Sequence, residues 1–362
     1  MKLFLLTFLS AYLIGNGYLF YRLMAPLAGC SWPLRILFAL LFWCVVFALI
    51  AAMLLRDAGL PAPLMRGLFL VGSVWLVATL YLVLVLTLLD LVHWVVPALQ
   101  HRVLWAVVIT SGLLLYGYYN HRHPRIVELE LTIDRPIRGD EMRLVAVSDI
   151  HLGEGTGKRA LKRYVALINS LRPDAVVIAG DLIDNSLTPL VRDHMEEELN
   201  RLQAPMGIYL APGNHEYISG MEAAKQFLEK TPIRLLQDSI ITLPNGVQLI
   251  GRDDRTNRHR KSLEELYQAA DTLRPMFLID HQPYALHRTD SLGFDLQVSG
   301  HTHHGQVWPV SLLTDRIYEQ SHGYRRWSKS HIWVSSGLSL WGPPFRIGTR
   351  GDVALIRIYN KQ

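Results

Sequence analysis

Apolar residues are distributed differently in the two parts of the chain. Four long apolar tracts fill the first 120 residues, at positions 3–21, 36–55, 68–89 and 103–119. Each tract is close to the ~20 residues that a helix needs to cross the core of a bilayer. Tracts with so few polar residues would leave a soluble helix without a solvated face. The pattern therefore predicts an N-terminal all-α transmembrane bundle of four helices over residues 1–120.

Beyond residue 125 the apolar runs have the length of strands. Five runs rich in β-branched residues each end at polar residues, at positions 144–147, 175–179, 208–210, 277–279 and 296–298. Such runs indicate buried strands. Predicted helices at 158–171 and 189–202 lie between them, so we expect a largely parallel sheet that is covered on both faces. The alternating segment Val127–Ile133 predicts an antiparallel strand with one exposed face, after a short linker at 120–125.

Side chains that can bind metal follow all five predicted strands. They are Asp149 and His151, then Asp181 and Asp184, then Asn214, His215 and Glu216, then Asp280 and His281, and finally His301 and His303. Carboxylate, imidazole and amide groups are the ligands of borderline divalent ions, and the set is too large for one ion. Because the carboxyl ends of parallel strands meet at one crevice, the pattern predicts a single two-metal site.

The order of these motifs resembles the calcineurin-like metallophosphoesterase superfamily. The matching motifs are Asp-x-His, Gly-Asp-x-x-Asp, Gly-Asn-His-Glu, a single His and Gly-His-x-His. The flanking segments 148–152, 281–283, 299–303 and 341–346 are similar to those of a bacterial branch of membrane-associated phosphohydrolases. The resemblance implies that residues 125–360 form an α/β metallophosphoesterase domain, an αββα sandwich, which binds two divalent ions (Mn, Fe, Zn or Co).

Residue roles follow from this resemblance position by position. It assigns one ion to Asp149, His151, Asp181 and His303, and the other to Asp181, Asn214, His281 and His301. Asp181 would bridge the two ions, and a hydroxide between them would attack a phosphoester or pyrophosphate bond. His215 is then expected to protonate the leaving oxygen, and Asp184 to orient its ring.

The substrate is less constrained by the sequence. Arg346 and Arg255 are candidates for phosphate contacts, and the basic stretches 252–261 and 324–327 are candidates for lipid headgroups. Relatives in the branch resemble enzymes acting on UDP-acyl sugars, so a phosphorylated small molecule or a lipid-linked substrate is expected. Two alternatives remain open: a catalytically silent scaffold, or a membrane transport or sensor protein with a regulatory phosphoesterase domain.

Charge completes the picture of the cellular setting. The sequence pI near 9.1 agrees with contacts to membrane lipids, while the lack of a recognition motif disfavours nucleic acid. The excess of basic residues on one side of the predicted spans includes Lys2, Arg56, Arg66, Arg122 and Arg125. We therefore expect an integral protein of a bacterial inner membrane, with its catalytic domain facing the cytoplasm. The sequence does not indicate an oligomeric state.

One segment suggests a different N-terminus. Leu27-Ala-Gly-Cys30 resembles a lipoprotein processing box, which would leave Cys30 lipidated and the first helix removed. Arg22 interrupts the preceding apolar segment, which argues against processing.

Overall fold

Two compact units make up the chain. The computed structural model describes residues 2–55 and 58–361. A helical unit extends up to Tyr119 and also includes Gly342–Ile347, and an α/β unit contains Asn120–Trp341 and the residues from Gly348 onward. Arg56, which supported the predicted orientation, and the side chain of Lys2 lie outside the described residues.

The helical unit consists of long helices joined by short turns. They are α1 (Lys2–Met24), α2 (Trp32–Leu54), α3 (Ala62–Val95) and α4 (Arg102–Arg122). Among the residues described, three helices are long and apolar enough to cross a membrane, namely α2, α3 and α4. The segment predicted as the first span is helical as α1, and its crossing of the membrane remains a prediction.

A partly buried acidic residue, Asp90, joins three of these helices. The Asp90 carboxylate near the end of α3 accepts hydrogen bonds from Arg22 of α1 and from Arg102 Nη1 of α4, the latter at 2.7 Å. It also accepts one from the Tyr18 hydroxyl at 3.1 Å. Two arginines compensate a carboxylate that would be costly to place unpaired among apolar helices. The end of α1, the end of α3 and the start of α4 therefore lie at the same end of the unit.

The α/β unit alternates strands with shorter helices. Its helices are α5 (Lys158–Ser170), α6 (Thr188–Arg192), α7 (Glu196–Leu199), α8 (Asn214–Ser219), α9 (Met221–Leu228), α10 (Leu263–Ala269), α11 (Leu286–Leu292) and α12 (Val310–Ile317). Its strands are β1 (Arg125–Ile133), β2 (Glu141–Val147), β3 (Ala175–Ala179), β4 (Ile208–Ala211), β5 (Ile233–Leu235), β6 (Ser239–Thr242), β7 (Gln248–Gly251), β8 (Met276–Ile279), β9 (Leu296–Ser299), β10 (Gly323–Arg326), β11 (His331–Val334) and β12 (Asp352–Asn360).

The strands form two six-stranded sheets. The first has the order β1-β12-β2-β3-β4-β5 and the second the order β10-β11-β9-β8-β7-β6. In the first sheet only the β12–β2 pair is antiparallel, and in the second only the β10–β11 and β6–β7 pairs are. All five strands predicted to precede the metal-binding motifs are present, as β2, β3, β4, β8 and β9.

Alternate side chains of the central strands face different apolar layers. In β2, Leu144 packs between the two sheets, whereas Val145 packs against the helices that cover the first sheet. In β8, Phe277 packs between the sheets and Leu278 faces α10. Each such buried side chain contributes about 1.5–3 kcal/mol of hydrophobic stabilisation. This arrangement is the four-layer αββα sandwich that the resemblance implied, with two mixed sheets instead of the single sheet expected from the pattern alone.

Two local predictions were wrong. The segment Val127–Ile133 belongs to β1, but it pairs parallel with β12 and not antiparallel to a neighbour. The helix predicted at 189–202 is divided into α6 and α7 by a turn in which His194 has φ of 49°. A residue in the left-handed region cannot continue a right-handed helix, so the helix ends there.

Candidate metal centre

The predicted ligands follow the carboxyl ends of five parallel strands, three in the first sheet and two in the second. Asp149 and His151 follow β2, Asp181 follows β3, Asn214 follows β4, His281 follows β8, and His301 and His303 follow β9. The loops of the two sheets are also in contact: the main-chain N–H of His301 donates to both carboxylate oxygens of Asp149, at 3.1 and 3.0 Å. The two sheets therefore meet at one edge of the sandwich, where these side chains come together.

The first group of ligand atoms belongs to Asp149, His151 and His303. Nε2 of His151 lies 3.1 Å from Nε2 of His303. Oδ1 of Asp149 is 3.8 Å from the first of these nitrogens and 3.4 Å from the second. Atoms bound to one zinc-sized ion at about 2.0–2.2 Å are separated by roughly 3.0–3.5 Å, so this group has nearly the spacing of a metal shell.

The second group contains Asp181, Asn214, His281 and His301. Nε2 of His281 lies 3.1 Å from Oδ2 of Asp181 and 3.2 Å from Oδ1 of Asn214. Ligand atoms of Asp181, His281 and His301 all lie within 4.8 Å of one another. Nδ1 of His281 is 2.7 Å from the carbonyl oxygen of Ala179 and donates to it, so Nε2 is the nitrogen that can bind a metal once it loses its own proton.

Asp181 joins the two groups. Its Oδ2 lies 3.1 Å from Nε2 of His281 in one group and 3.7 Å from Nε2 of His151 in the other. The same carboxylate accepts a hydrogen bond at Oδ1 from the N–H of His215 at 2.9 Å, which fixes its rotation. One carboxylate held between two sets of nitrogen ligands is suited to bridging two cations.

His215 and Asp184 lie beside the first group. Nδ1 of His215 is 3.2 Å from Oδ1 of Asp184, and Nδ1 of His151 is 3.4 Å from the same oxygen. The Asp184 carboxylate thus faces two imidazoles, one that can bind metal and one that is not in either ligand group. The Trp341 ring lies 6.5 Å from that of His215, edge on, and borders this side of the site.

Strained backbone accompanies the ligands. Positive φ angles between 48° and 71° occur at Asp149, His151, Asp181, His301 and His303. Each non-glycine residue in this region costs about 1–2 kcal/mol relative to an ordinary conformation. Such strain concentrates at functional sites, where the surrounding structure enforces it.

The buried carboxylate of Glu216, which is not among the ligands assigned to either ion, supports two ligand loops. It accepts hydrogen bonds from the N–H groups of Asp181, Ile183 and Gly213 at 3.0, 3.0 and 2.7 Å. Its place in the Gly-Asn-His-Glu motif was visible, but the main-chain donors come from the loop after β3. Only the folded structure shows that connection.

Charges inside the site compensate one another. Burial alone would lower the pKa of His151, but the carboxylates of Asp149, Asp184 and Asp181 together outweigh burial and raise this pKa to about 10. Burial is likewise outweighed at His281, where the charge of Asp181 holds the pKa well above its ordinary value. Burial and the charge of His281 lower the pKa of His301 to about 4. Without metal, the raised pKa values of His151 and His281 favour positive charge on these two rings, and this charge balances the nearby carboxylates as bound metal cations would.

These residues fit a pair of divalent ions. The donor set is oxygen and neutral imidazole nitrogen, as Mn, Fe, Zn and Co prefer. Nδ1 of His151 and Nδ1 of His215 both face the buried Oδ1 of Asp184, at 3.4 and 3.2 Å, so Nε2 is the free ring nitrogen of His151 on the side of the first group. Asp149, His151 and Asp181 are each at most 2% exposed.

Gly300 allows the two sheets to approach at the site. A Cβ at this position would lie 2.3 Å from Oδ2 of Asp149 and 2.4 Å from Oγ of Ser148. We expect Gly300→Ala to displace Asp149 and lower manganese affinity by roughly 10–100-fold, as loss of ligand support does elsewhere. Isothermal titration with Mn²⁺ measures this. Gly112→Ala, where nothing lies within 4 Å, is the matched control. Unchanged affinity of Gly300→Ala would show that the loops can separate to admit a methyl group.

The candidate substrate residues lie in different surroundings. The Arg255 guanidinium is exposed and lies 4.0 Å from the centre of the Tyr284 ring. Arg346 is 1% exposed, and its main-chain N–H donates to the Gly117 carbonyl within the helical unit at 2.9 Å. Its contact with phosphate stays a prediction.

Two arginines of the basic stretch 252–261 are not free surface cations. Nη1 of Arg252 and Nη1 of Arg260 lie 3.1 and 3.3 Å from the buried Asp280 carboxylate. Asp280 precedes the ligand His281, so these arginines serve the interior of the site and not a lipid surface.

Comparison with known proteins agrees with this geometry. A family model described as calcineurin-like phosphoesterase matches residues 142–305. An uncharacterised metallophosphoesterase of Helicobacter pylori is 30% identical over 257 residues, which cover 69% of this chain and 68% of the relative. The chain belongs to the calcineurin-like metallophosphoesterase family. Members of this family use two divalent metal ions, which is the cofactor pair that the sequence predicted.

Another relative of this metallophosphoesterase is named as a transmembrane protein. A transmembrane protein with a metallophosphoesterase domain from Danio rerio is 32% identical over 269 residues, covering 69% of this chain. The match spans 61% of that relative's length. Among solved structures, a dimetal phosphatase from Danio rerio is 12% identical with a TM-score of 0.38, over 55% of this chain and 88% of that one.

Proposed function

We propose that the protein is a membrane-anchored dimetal phosphohydrolase that cleaves a phosphoester or pyrophosphate bond. The observation that carries this proposal is the position of Asp181, whose Oδ2 faces nitrogen ligands of both groups at 3.1 and 3.7 Å. A catalytically silent scaffold is disfavoured because every ligand that the family pattern requires is present and lies with its group. The assignment of Asp149, His151, Asp181 and His303 to one ion and of Asp181, Asn214, His281 and His301 to the other belongs to the proposal.

The chain's own residues would supply the remaining chemistry. When bound, the two ions would acidify a water and stabilise the charge that develops on the phosphoryl oxygens. Nδ1 of His215 faces Asp184, so Nε2, on the opposite edge of the ring, is the atom that can hold a proton for the leaving oxygen. Asp184 would fix the ring and its tautomer by accepting from Nδ1. Trp341 would limit the access of water to this edge.

A lipid-linked substrate is the class that the surface of the α/β unit favours. Helix α12 begins seven residues after His303 and exposes apolar side chains that a soluble substrate would not need. Leu312, Leu313 and Ile317 are 59%, 53% and 54% exposed, and the preceding Trp308 is 49% exposed. Several exposed apolar side chains on one short helix favour a contact surface there. Acyl chains, such as those of a UDP-acyl sugar, are the occupants that would cover it.

Arg255 would bind a second anionic group of such a substrate. Its guanidinium stacks on Tyr284, whose hydroxyl lies 3.4 Å from that of Tyr318, and the Tyr318 ring is 6.3 Å from the His301 ring. Two tyrosines thus connect the cation to the ligand His301, and a charge-assisted hydrogen bond from Arg255 to the substrate would contribute about 1.5–3 kcal/mol.

We expect Arg255→Gln to raise KM for a pyrophosphate substrate by roughly 10–100-fold, with kcat little changed, because the lost bond is made in ground and transition states alike. Steady-state kinetics on a pyrophosphate-linked substrate and on a singly charged aryl diester measure the difference. Arg258→Gln, which removes the same charge from an exposed position three residues along the loop, is the control. If KM rose equally for both substrates, or equally in both variants, Arg255 would only attract anions to the surface and would not bind the second anionic group of the substrate.

The membrane arrangement extends the same proposal. A helical domain of residues 1–120 with four spans would hold a catalytic domain of residues 125–360 at the surface of a bacterial inner membrane, facing the cytoplasm. A crossing by α1, in addition to those by α2, α3 and α4, is supported by the Asp90 contacts. Through these contacts the end of α1 lies at the same end of the helical unit as the end of α3 and the start of α4. Periplasmic and cytoplasmic labelling of single cysteines introduced near residue 125 would determine the orientation.

Purified full-length protein tests the function directly. Loaded with Mn²⁺ in detergent, it should hydrolyse an aryl phosphodiester, and Asp181→Asn prepared in parallel excludes a contaminating enzyme. No turnover on phosphomonoester, phosphodiester or pyrophosphate substrates, despite bound metal, would favour the scaffold. Lipid profiling of cells that carry Asp181→Asn should show the accumulating substrate and so distinguish lipid-linked from soluble classes.

A further inference from the structure

A second cluster of metal-ligating side chains lies outside the two ligand groups. It contains His304, which follows the ligand His303, Asp315 of α12, and His322 from the loop before β10. Nε2 of His304 is 3.5 Å from Oδ1 of Asp315, and Nδ1 of His322 is 3.9 Å from the same oxygen. These separations are close to the 3.1–3.8 Å found among the ligands of the first group.

Three segments that are distant in sequence are held together at this cluster. The Thr302 hydroxyl donates to the carbonyl of Ser321 at 2.5 Å, which ties the ligand loop to the loop before β10. The Ser321 hydroxyl bonds the Asp315 carboxylate and lies 3.1 Å from Nδ1 of His322. The hydroxyl donates its one proton to Asp315 and so holds that carboxylate between the two imidazoles.

The backbone and the rings at this cluster are unusual. His304 has φ of 48° and ψ of 39°, a conformation that favours glycine, although no metal of the pair requires this residue. The imidazoles of His304 and His322 stack with centroids 3.4 Å apart and planes 16° apart. One possible ligand atom from each of His304, Asp315 and His322 lies within 4.8 Å of the other two.

We propose that His304, Asp315 and His322 bind a third divalent cation, and that zinc is the ion this site selects. Two imidazoles and one carboxylate are a zinc donor set that leaves a coordination position open for water. The ion would clamp the loop that carries His301 and His303 to α12, and so fix the exposed apolar side chains of that helix beside the site. This site does not depend on the proposed hydrolytic function.

Zinc counting on the full-length protein in detergent tests the proposal. After loading with ZnCl₂ and desalting, mass spectrometry should find about three zinc ions per chain in the wild type and about two in His322→Asn. The double variant Asp149→Asn with Asp181→Asn should keep about one, and adding His322→Asn to it should remove that one. Wild-type protein with only two ions, or a His322→Asn variant with the same count as the wild type, would overturn the proposal.

A second variant separates ligand loss from misfolding. His304→Gly removes a ligand but suits the left-handed backbone, so we expect the melting temperature of the metal-free protein to rise. The same variant should lose the upward shift that zinc produces in the Asp149→Asn, Asp181→Asn background. A zinc-dependent shift that persists after His304→Gly would place the ion elsewhere.

Discussion

Asp181→Asn is expected to remove hydrolytic activity almost completely. Oδ2 of Asp181 lies close to Nε2 of His281 and to Nε2 of His151, at 3.1 and 3.7 Å, so loss of its charge weakens both ligand groups at once. Assistance by two metal ions supplies several kcal/mol of transition-state stabilisation. Since each 1.36 kcal/mol is worth tenfold in rate, kcat/KM on an aryl phosphodiester should fall by about 10³-fold or more.

The metal content of Asp181→Asn shows whether the loss of activity results from loss of bound metal. We expect the manganese content to fall below the wild-type level in both ligand groups. Asp181 is the carboxylate that the two groups share, so its loss removes a ligand from each. Asp295→Asn is the matched control: Asp295 is also buried, and Arg135 Nη1 contacts it at 2.9 Å, but it lies outside the ligand groups. Asp181→Asn protein that keeps both metals and wild-type turnover would exclude the bridging role.

The strands that carry the ligands could be predicted because both of their faces are buried. Val145 packs against helices and Leu144 packs between the sheets, so β2 is apolar at successive positions and its end is marked by Ser148 and Asp149. The same holds for β3, β4, β8 and β9, where every residue of the strand is buried. A short apolar run that ends at polar or charged residues is a local signal, and it was sufficient to predict these five strands.

Partners that are distant in sequence could not be predicted in this way. The alternation in Val127–Ile133 correctly indicated a strand with one exposed face, but its neighbour β12 lies more than 200 residues further along the chain. Nothing in the segment itself specifies a parallel neighbour. The pairing of Arg260 with Asp280 was hidden for the same reason, since a run of basic residues in sequence gives no information on which side chains turn inward.

The site shows the same division between local and distant information. Ligand types and their order are properties of short motifs, whereas the left-handed backbone at Asp149, Asp181 and His301 is imposed by the loops that surround them. The cluster of His304, Asp315 and His322 has no motif, because each member comes from a different segment. Chemistry that depends on convergence of distant loops appears only in the folded chain.

His215→Asn should retain both metals and lose activity according to the leaving group. His215 lies outside the two ligand groups, and its Nδ1 faces Asp184 at 3.2 Å, so the ring is held but is not needed for metal binding. A general acid contributes about 10²–10⁴-fold when the leaving oxygen must be protonated. We therefore expect a loss of that size in kcat for an alkyl phosphodiester, and a much smaller loss for a nitrophenyl diester, whose leaving group departs without a proton.

Two further variants make this result specific to proton transfer. Asp184→Asn should show the same dependence on the leaving group with a smaller loss, roughly 10–100-fold, because it acts by positioning the ring. His287→Asn changes an exposed imidazole that contacts Glu319 at 3.1 Å and should have no effect on either substrate. If His215→Asn slowed the alkyl and nitrophenyl diesters equally with metals still bound, the ring would be stabilising charge on the phosphoryl group and not donating a proton, since only proton donation depends on the basicity of the leaving oxygen.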